Sequence, residues 1–280
     1  MIEVKKGVLK KIYKKRDPWS HKYYFGHLLV IGGSKHYSGS PTLNALAALR
    51  SGVDLVTIAA PERAANIIAS FTPDLIAYPL NGNCLGVEHL TELFKLTQNK
   101  TAVVIGGGLR REDGILNVIA TYLKKVDIPC VIDADAIHAV ARNKGIVKNK
   151  NFLLTPHSYE FFVLSGKKVS TNLKERINAV KKLAHQLKTT ILLKGHVDVV
   201  SDGKKVALNR TGSPYMTKGG MGDTLAGICG ALLARGNDVF TVACASAYIN
   251  GRAGEIASKK LKESVMASNL INTIPEAIKS

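Results

Sequence analysis

The chain is poor in the residues that cross-link a small protein or ligate zinc. It has four cysteines, Cys84, Cys130, Cys229 and Cys244, widely separated and without a C-x-x-C pair. That spacing excludes a disulfide framework and a paired-cysteine zinc site. Cys229 and Cys244 sit inside apolar helical runs and read as free, buried thiols of a reducing compartment. Long hydrophobic runs are also missing. No stretch approaches the roughly 18 apolar residues that a membrane-spanning helix needs. The opening Met1-Ile2-Glu3-Val4-Lys5-Lys6 is charged and leads into no apolar signal region. These absences predict a cytoplasmic protein without a membrane partner. No Pro/Gly/Ser-rich linker, repeat or low-complexity segment divides the sequence. Two small domains would also fit 280 residues, but the undivided pattern predicts one domain over 1–280.

Acidic residues are scarce: 21 Asp and Glu stand against 39 Lys and Arg, a formal net charge of +18. Such a balance raises the question of nucleic acid. Much of the excess is scattered or terminal, however, with Lys5, Lys6, Lys10, Lys11, Lys14, Lys15 and Arg16 at one end and Lys259, Lys260 and Lys262 near the other. No basic strand interleaved with aromatics occurs, so no nucleic-acid partner is expected. A solvated basic surface would instead steer anionic small molecules toward the protein. Several catalytic signatures are absent too: the Walker G-x-x-x-x-G-K-S/T, a G-x-G-x-x-G after the first strand, the G-x-S-x-G elbow and H-E-x-x-H. His21, His27, His36, His138 and His185 show no metal-like spacing, and no protein-ligated metal is predicted.

What is present is an alternation. Apolar, β-branched runs at His27–Ile31, Leu55–Ala59, Ala102–Ile105, Cys130–Ile132, Phe152–Leu154 and Ile191–Leu193 read as buried strands. Helical segments separate them: Pro41 to Arg50, one opening at Pro61, Gly114 to Lys124, Ala136 to Ala141, Ser158 to Ser165 and Leu173 to Leu187. Val197–Val200 and Lys205–Leu208, joined through Ser201-Asp202-Gly203, predict an antiparallel hairpin. From Asp223 onward the pattern is mainly helical. The predicted class is α/β, a central and mostly parallel sheet with helices on both faces.

In such sheets ligands sit outside the carboxyl ends of the strands. Gly32-Gly33, Gly106-Gly107-Gly108, Asp133 with Asp135, Thr155-Pro156-His157 and Lys194-Gly195 all fall at those ends. The strongest single signal is Gly219-Gly220-Met221-Gly222-Asp223-Thr224, leading into an apolar helix with Gly236 where its end is expected. Glycines let backbone approach a ligand closely, and a helix start offers unpaired N–H donors to an anionic oxygen. Gly219, Gly220, Met221 and Gly222 are therefore candidates for an anion hole. Asp223 has two compatible readings: a helix N-cap, or a general base beside a phosphate cradle. The others also have plainer readings. His157 fits a partly buried loop histidine, Asp133 a strand-end turn, Asp135 an N-cap, and Lys194 a surface charge or a phosphate contact.

With Asn209-x-Thr211-Gly212 ahead of it, the Gly219–Asp223 loop resembles the nucleotide loop of ribokinase-like small-molecule kinases. Further segments narrow the resemblance: Tyr37-Ser38-Gly39-Ser40-Pro41 with the run ending Ala47-Ala48-Leu49-Arg50-Ser51-Gly52, Ile105-Gly106-Gly107-Gly108-Leu109, Val131-Ile132-Asp133-Ala134-Asp135-Ala136, Leu154-Thr155-Pro156-His157 and Leu193-Lys194-Gly195. Together they are similar to the ADP/ATP-dependent NAD(P)H-hydrate dehydratases, over roughly residues 20 to 260.

The resemblance implies a ribokinase-like fold and a repair reaction. NADH or NADPH hydrated on the nicotinamide ring (NADHX or NADPHX, S-form) would be dehydrated while ADP or ATP is broken to AMP or ADP and phosphate. It also implies roles: Asp223 as base, Ser40, Gly108, His157 and Asp223 against the hydrated nucleotide, and Lys194, Gly195, His196, Val197, Asp198 and Gly222 around the adenine nucleotide. Mg²⁺ would travel with the polyphosphate, held by phosphate oxygens and water. A homotetramer and a separate epimerase polypeptide are further implications. The other reading is a ribokinase-like kinase of a vitamin-precursor alcohol. Three positions depart from the family's usual residues: Ser40 for Ala, Gly107 for Pro, and Tyr159 for Gly. Because a bulky residue adopts φ > 0 only at a cost, Tyr159 predicts an altered loop around His157.

Overall fold

The computed structural model describes residues 1–279. From its amino end the chain forms β1 (Ile2–Glu3), α1 (Leu9–Ile12), β2 (His27–Ile31), α2 (Gly39–Arg50), β3 (Leu55–Pro61), α3 (Glu62–Ala69) and β4 (Ile76–Leu80). It continues through α4 (Leu90–Thr97), β5 (Ala102–Ile105), α5 (Asp113–Lys125), β6 (Cys130–Ile132), α6 (Asp135–Arg142), β7 (Phe152–Leu154), α7 (Ser158–Ser165) and α8 (Leu173–Leu187). The remainder is β8 (Thr190–Leu193), β9 (Asp198–Ser201), β10 (Val206–Asn209), α9 (Met221–Ala234), α10 (Val239–Leu261) and α11 (Ala267–Lys279).

One sheet takes all ten strands, in the order β1-β10-β9-β8-β7-β6-β5-β2-β3-β4. Strands β2 to β8 pair in parallel; β9 runs antiparallel to both β8 and β10. The hairpin lies one residue later than the hydrophobic pattern suggests at both strands. Its turn is set by Gly203 at φ +89° and by Asp202 Oδ1, which accepts the Lys204 and Lys205 N–H groups.

The continuous apolar runs separate cleanly by side once the backbone is extended. Leu28 and Val30 face α2, α9, α10 and α11, whereas Leu29 and Ile31 face the side of α5, α6 and α8. The same alternation holds in β5, with Val104 on the first face and Val103 and Ile105 on the second. Both faces are covered, which is why β5, and β2 after His27, carry no polar residue.

Two predicted boundaries at prolines move, and one strand is new. Pro41 is the third residue of α2, still inside the first turn where a missing N–H is tolerated. Pro61 ends β3, and α3 begins one residue later. Strand β4 was not predicted: it is half-exposed, it forms the sheet edge, and it contains Pro79, which only an edge strand accommodates. The four cysteines are free, three of them buried. Among the described residues no helix is long and apolar enough to cross a membrane.

Helices α2 and α9 approach so closely that a side chain is excluded where they touch, and α9 lies as tightly on the sheet. A Cβ on Gly227 would lie 2.1 Å from the Asn44 carbonyl oxygen of α2, and one on Gly230 would lie 2.3 Å from Val104 Cγ2 of β5. Gly227→Ala is expected to destabilise the fold by about 1–3 kcal/mol, as overpacking does. Urea unfolding measures it; an unchanged midpoint would mean that the two helices separate freely.

Candidate active site

The loops at the carboxyl ends of the parallel strands are tied into one rim. The Gly33 N–H donates to the Gly107 carbonyl at 2.8 Å, the Asp133 N–H to Ile105 at 3.1 Å, and the Lys194 N–H to Pro156 at 2.9 Å. Thr155 Oγ1 donates to Asp133 Oδ1 at 2.7 Å. Gly106, at φ +137°, passes the Asp133 carbonyl so tightly that a Cβ would stand 1.8 Å from its oxygen.

Beside this rim, Gly220 adopts the left-handed conformation (φ +89°) and caps α9. Asp223 is thus the third residue of the helix and not its N-cap. Its carboxylate accepts the Ser40 hydroxyl at Oδ1 instead of a helix N–H. Its carbonyl is held by Asn44 Nδ2 at 2.7 Å. Both anchors come from α2. Thr224 Oγ1 donates to Asn250 Oδ1 at 2.7 Å and so fastens the same turn to α10.

Lys194 is not a surface charge. Its ammonium donates to Asp133 Oδ1 at 2.9 Å and lies 3.7 Å from Glu160 Oε2, with only 18% of the side chain exposed. A Cβ on Gly222 would sit 3.4 Å from Lys194 Nζ, so the ammonium stands beneath the glycine turn. Burial opposes the charge on Lys194, but Asp133 and Glu160 more than offset it and hold its pKa above the usual value. Burial pushes the Asp223 carboxyl up to about 6; the Ser40 hydrogen bond and Lys194 act against that rise, and Asp133 and Glu160 add to it. Three carboxylates therefore share one ammonium in a partly dry pocket.

A cleft of ≈ 900 Å³ opens between this cluster and the β9–β10 side, lined among others by His157, Lys194, Gly195, His196, Asp198, Gly219, Met221 and Gly222. Of the predicted site residues, Ser40, Gly108, Asp223, Gly220 and Val197 lie outside that lining. Ser40 and Asp223 meet each other beside the glycine turn, close to the Gly106–Gly108 loop. Gly220 packs against Leu43 and Ala267, and Val197 against the apolar core. Asp198 borders the cleft, but its two oxygens accept Gly195 N–H and Asn209 Nδ2, both at 3.0 Å; burial raises its carboxyl to about 6.

His157 is neither a plain loop histidine nor displaced by its neighbour. Its Nδ1 accepts the Tyr159 and Glu160 N–H groups, and the Glu160 carboxylate accepts the His157 N–H, a reciprocal cap of α7. Its Nε2 lies 3.4 Å from Glu160 Oε1. Tyr159 belongs to the first turn of α7 and does not adopt positive φ, so the strain expected there does not arise. Asp135 is the first residue of α6 and not its N-cap; it accepts the Arg110 N–H at 2.8 Å and Arg111 Nε at 2.7 Å.

Sequence reasoning missed Asn44, Glu160 and Arg176. Arg176 is buried and donates to the Lys194 carbonyl at 3.1 Å and to Ser158 Oγ at 3.3 Å. Nothing in a helix register marks Asn44 or Arg176 as site residues. Glu160, three residues after His157, did carry a capping-box spacing. Among the described residues no group of three His, Cys, Asp or Glu is placed to hold a metal ion.

A second cleft of ≈ 590 Å³, lined by Tyr23, Tyr24, Thr101, Pro129 and Arg235 among others, lies at the opposite, amino ends of the strands. It has no part in the rim at the carboxyl ends.

A mostly parallel sheet closed by one antiparallel hairpin, with a glycine turn into a helix that carries a carboxylate, has the ribokinase-like α/β fold. The chain belongs to the NAD(P)H-hydrate dehydratase family, whose sequence model matches residues 28–276. It is 38% identical to the ADP-dependent (S)-NAD(P)H-hydrate dehydratase of Cenarchaeum symbiosum, over 95% of this chain and 92% of that one. It is 41% identical to the bifunctional NAD(P)H-hydrate repair enzyme Nnr of Pyrobaculum aerophilum, over 93% of this chain but 52% of that protein. The chain thus spans about half the length of the first curated relatives it matches. Among solved structures it superposes on the ADP/ATP-dependent NAD(P)H-hydrate dehydratase of Bacillus subtilis co-crystallised with ATP/Mg²⁺, with TM-score 0.84, 25% identity and coverage of 99% and 98%.

The raised pKa of Asp223 has a consequence for stability. Because the folded value, about 6, exceeds the usual 3.8, protonation favours the folded state. That contribution is complete below about pH 4 and is lost as pH rises through about 6. Asp223→Asn keeps an oxygen for Ser40 and removes the charge. It should melt above the wild type at pH 8, with the gap closing toward pH 4; equal melting at pH 8 would refute the burial cost.

Proposed function

We propose that this chain dehydrates the S-form of hydrated NADH or NADPH, consuming ADP or ATP. The observation that carries the reading is the place of Asp223: a half-buried carboxylate in the first turn of α9, anchored by Ser40 and Asn44, beside a glycine turn and the Lys194 ammonium.

The chemistry starts from a poor leaving group. The ring hydroxyl attacks the terminal phosphorus of the nucleotide while Asp223 takes its proton. The bond from that phosphorus to its bridging oxygen breaks, and AMP leaves when ADP is the donor. Phosphate then departs from the ring carbon with the bonding electron pair, the neighbouring carbon loses a proton, and the conjugated ring returns. Backbone N–H groups at Gly219 to Gly222 and the Lys194 ammonium are suited to the phosphate oxygens. The cleft on the side of His196 and Asp198 has room for the adenosine part. His157, Ser40 and Gly108 would face the hydrated nucleotide. Mg²⁺ would enter with the nucleotide, carried by polyphosphate oxygens and water. A homotetramer is part of the same proposal and is measurable by light scattering.

The test is direct. Protein incubated with chemically prepared NADH hydrate and ADP should restore the near-ultraviolet absorbance of the dihydronicotinamide. No recovery with ADP or ATP would end the proposal; a stable phosphate ester of a vitamin-precursor alcohol would favour a kinase. Asp223→Asn should still bind nucleotide but lose turnover by about 10²–10⁴-fold. Since the base must be ionised, kcat/KM should fall as pH drops through about 6. A flat profile there would remove Asp223 as the base.

A further inference from the structure

Gly106, Gly107 and Gly108 follow β5, yet they are glycines for different reasons. Gly106 and Gly108 need positive φ, at +137° and +71°. Gly107 does not: its backbone would accept an ordinary residue. What excludes one is space. A Cβ on Gly107 would stand 1.9 Å from Ser40 Oγ, 3.1 Å from Ser40 Cβ and 3.2 Å from Asp223 Oδ1. The volume that a side chain at 107 would occupy is filled by the Ser40 hydroxyl, which donates there to Asp223 Oδ1. Among the described residues no group donates a hydrogen bond to the other carboxylate oxygen of Asp223.

We infer that Ser40 and Gly107 act as one unit: the hydroxyl, seated in the space left by the missing side chain, fixes the Asp223 carboxylate and leaves Oδ2 as the oxygen that accepts a proton. Ser40 is thus a positioning residue in addition to any contact with substrate. Its catalytic meaning rests on the proposed role of Asp223, but its geometry does not.

The groups facing this carboxylate are few. Ser40 comes from α2, Asp133 from the end of β6, Lys194 from the end of β8 and Glu160 from α7. Among the described residues only Ser40 bonds the carboxylate directly; the others act through their charges. A hydrogen bond to the ionised form keeps a carboxyl more acidic than burial and two neighbouring carboxylates alone would allow. Losing it should weaken Asp223 as an acid by about tenfold.

The coupling gives a double-mutant cycle whose main readout needs no turnover. Protein carrying carbon-13-labelled aspartate, without substrate, is titrated by NMR as wild type, Ser40→Ala, Gly107→Ala and the double variant. The Asp223 resonance is assigned by its absence in Asp223→Asn. Ser40→Ala should raise the Asp223 midpoint by about tenfold in proton affinity. Gly107→Ala should raise it similarly, because its methyl evicts the hydroxyl. The double variant should match Ser40→Ala alone, since 3.1 Å and 3.2 Å contacts need only small adjustments once the hydroxyl is gone. Additive shifts, or an Asp223 midpoint unmoved by Ser40→Ala, would overturn the inference. The acid limb of kcat/KM should move to higher pH in step with the midpoint. Non-additive shifts in a wild type without dehydratase activity would support the positioning unit while sinking the proposed reaction.

Discussion

The site depends on the close contact between two helices that are far apart in the chain. Helices α2 and α9 touch where Gly227 has no side chain, against the carbonyl of Asn44. That contact sets the first turns of the two helices beside each other. The amino-terminal half of α2 brings Ser40 and Asn44, the first turn of α9 brings Asp223, and that residue is gripped at both its carboxylate and its own carbonyl. A bulkier packing residue between the helices would part the anchors from the group they hold. The energetics of the core and the geometry of the site are the same contact seen from two ends.

Around this grip the charges are arranged at a cost to the fold. Asp133, Glu160 and Asp223 converge on Lys194, and none is fully hydrated. A buried ion pair gains in attraction roughly what desolvation takes, and an excess carboxylate gains less. The result is a carboxyl pushed up to about 6 by burial, and perturbed carboxyls of this kind cluster at functional sites. Thr155, His157 and Arg176 belong to the same construction. They satisfy Asp133, Glu160 and the Lys194 carbonyl, so hydrogen bonds from the chain itself hold the cluster in place.

The fold alone does not separate a dehydratase from a small-molecule kinase, because one fold hosts many chemistries. In this chain the ends of β5, β6, β7 and β8 are hydrogen-bonded into one wall beside the glycine turn.

The amino-acid sequence determined the architecture and the chemical inventory. Continuous β-branched runs separated by amphipathic segments leave few alternatives to a parallel sheet covered on both faces, and the glycine turn with its aspartate was legible as a short local pattern. Strand β4 escaped because an edge tolerates Pro79 and exposure, which erase the hydrophobic signal. Only the tertiary structure decided what Asp223 bonds to, because its partners lie 183 and 179 residues away and follow no period. It also decided that Lys194 is buried and paired, that Tyr159 sits unstrained in a helix, and that Gly107 is a space for the Ser40 hydroxyl. Local pattern records what a residue can do along its own helix or strand. Which groups meet across the sheet is settled by packing, and the acid–base character of this site is a property of that meeting.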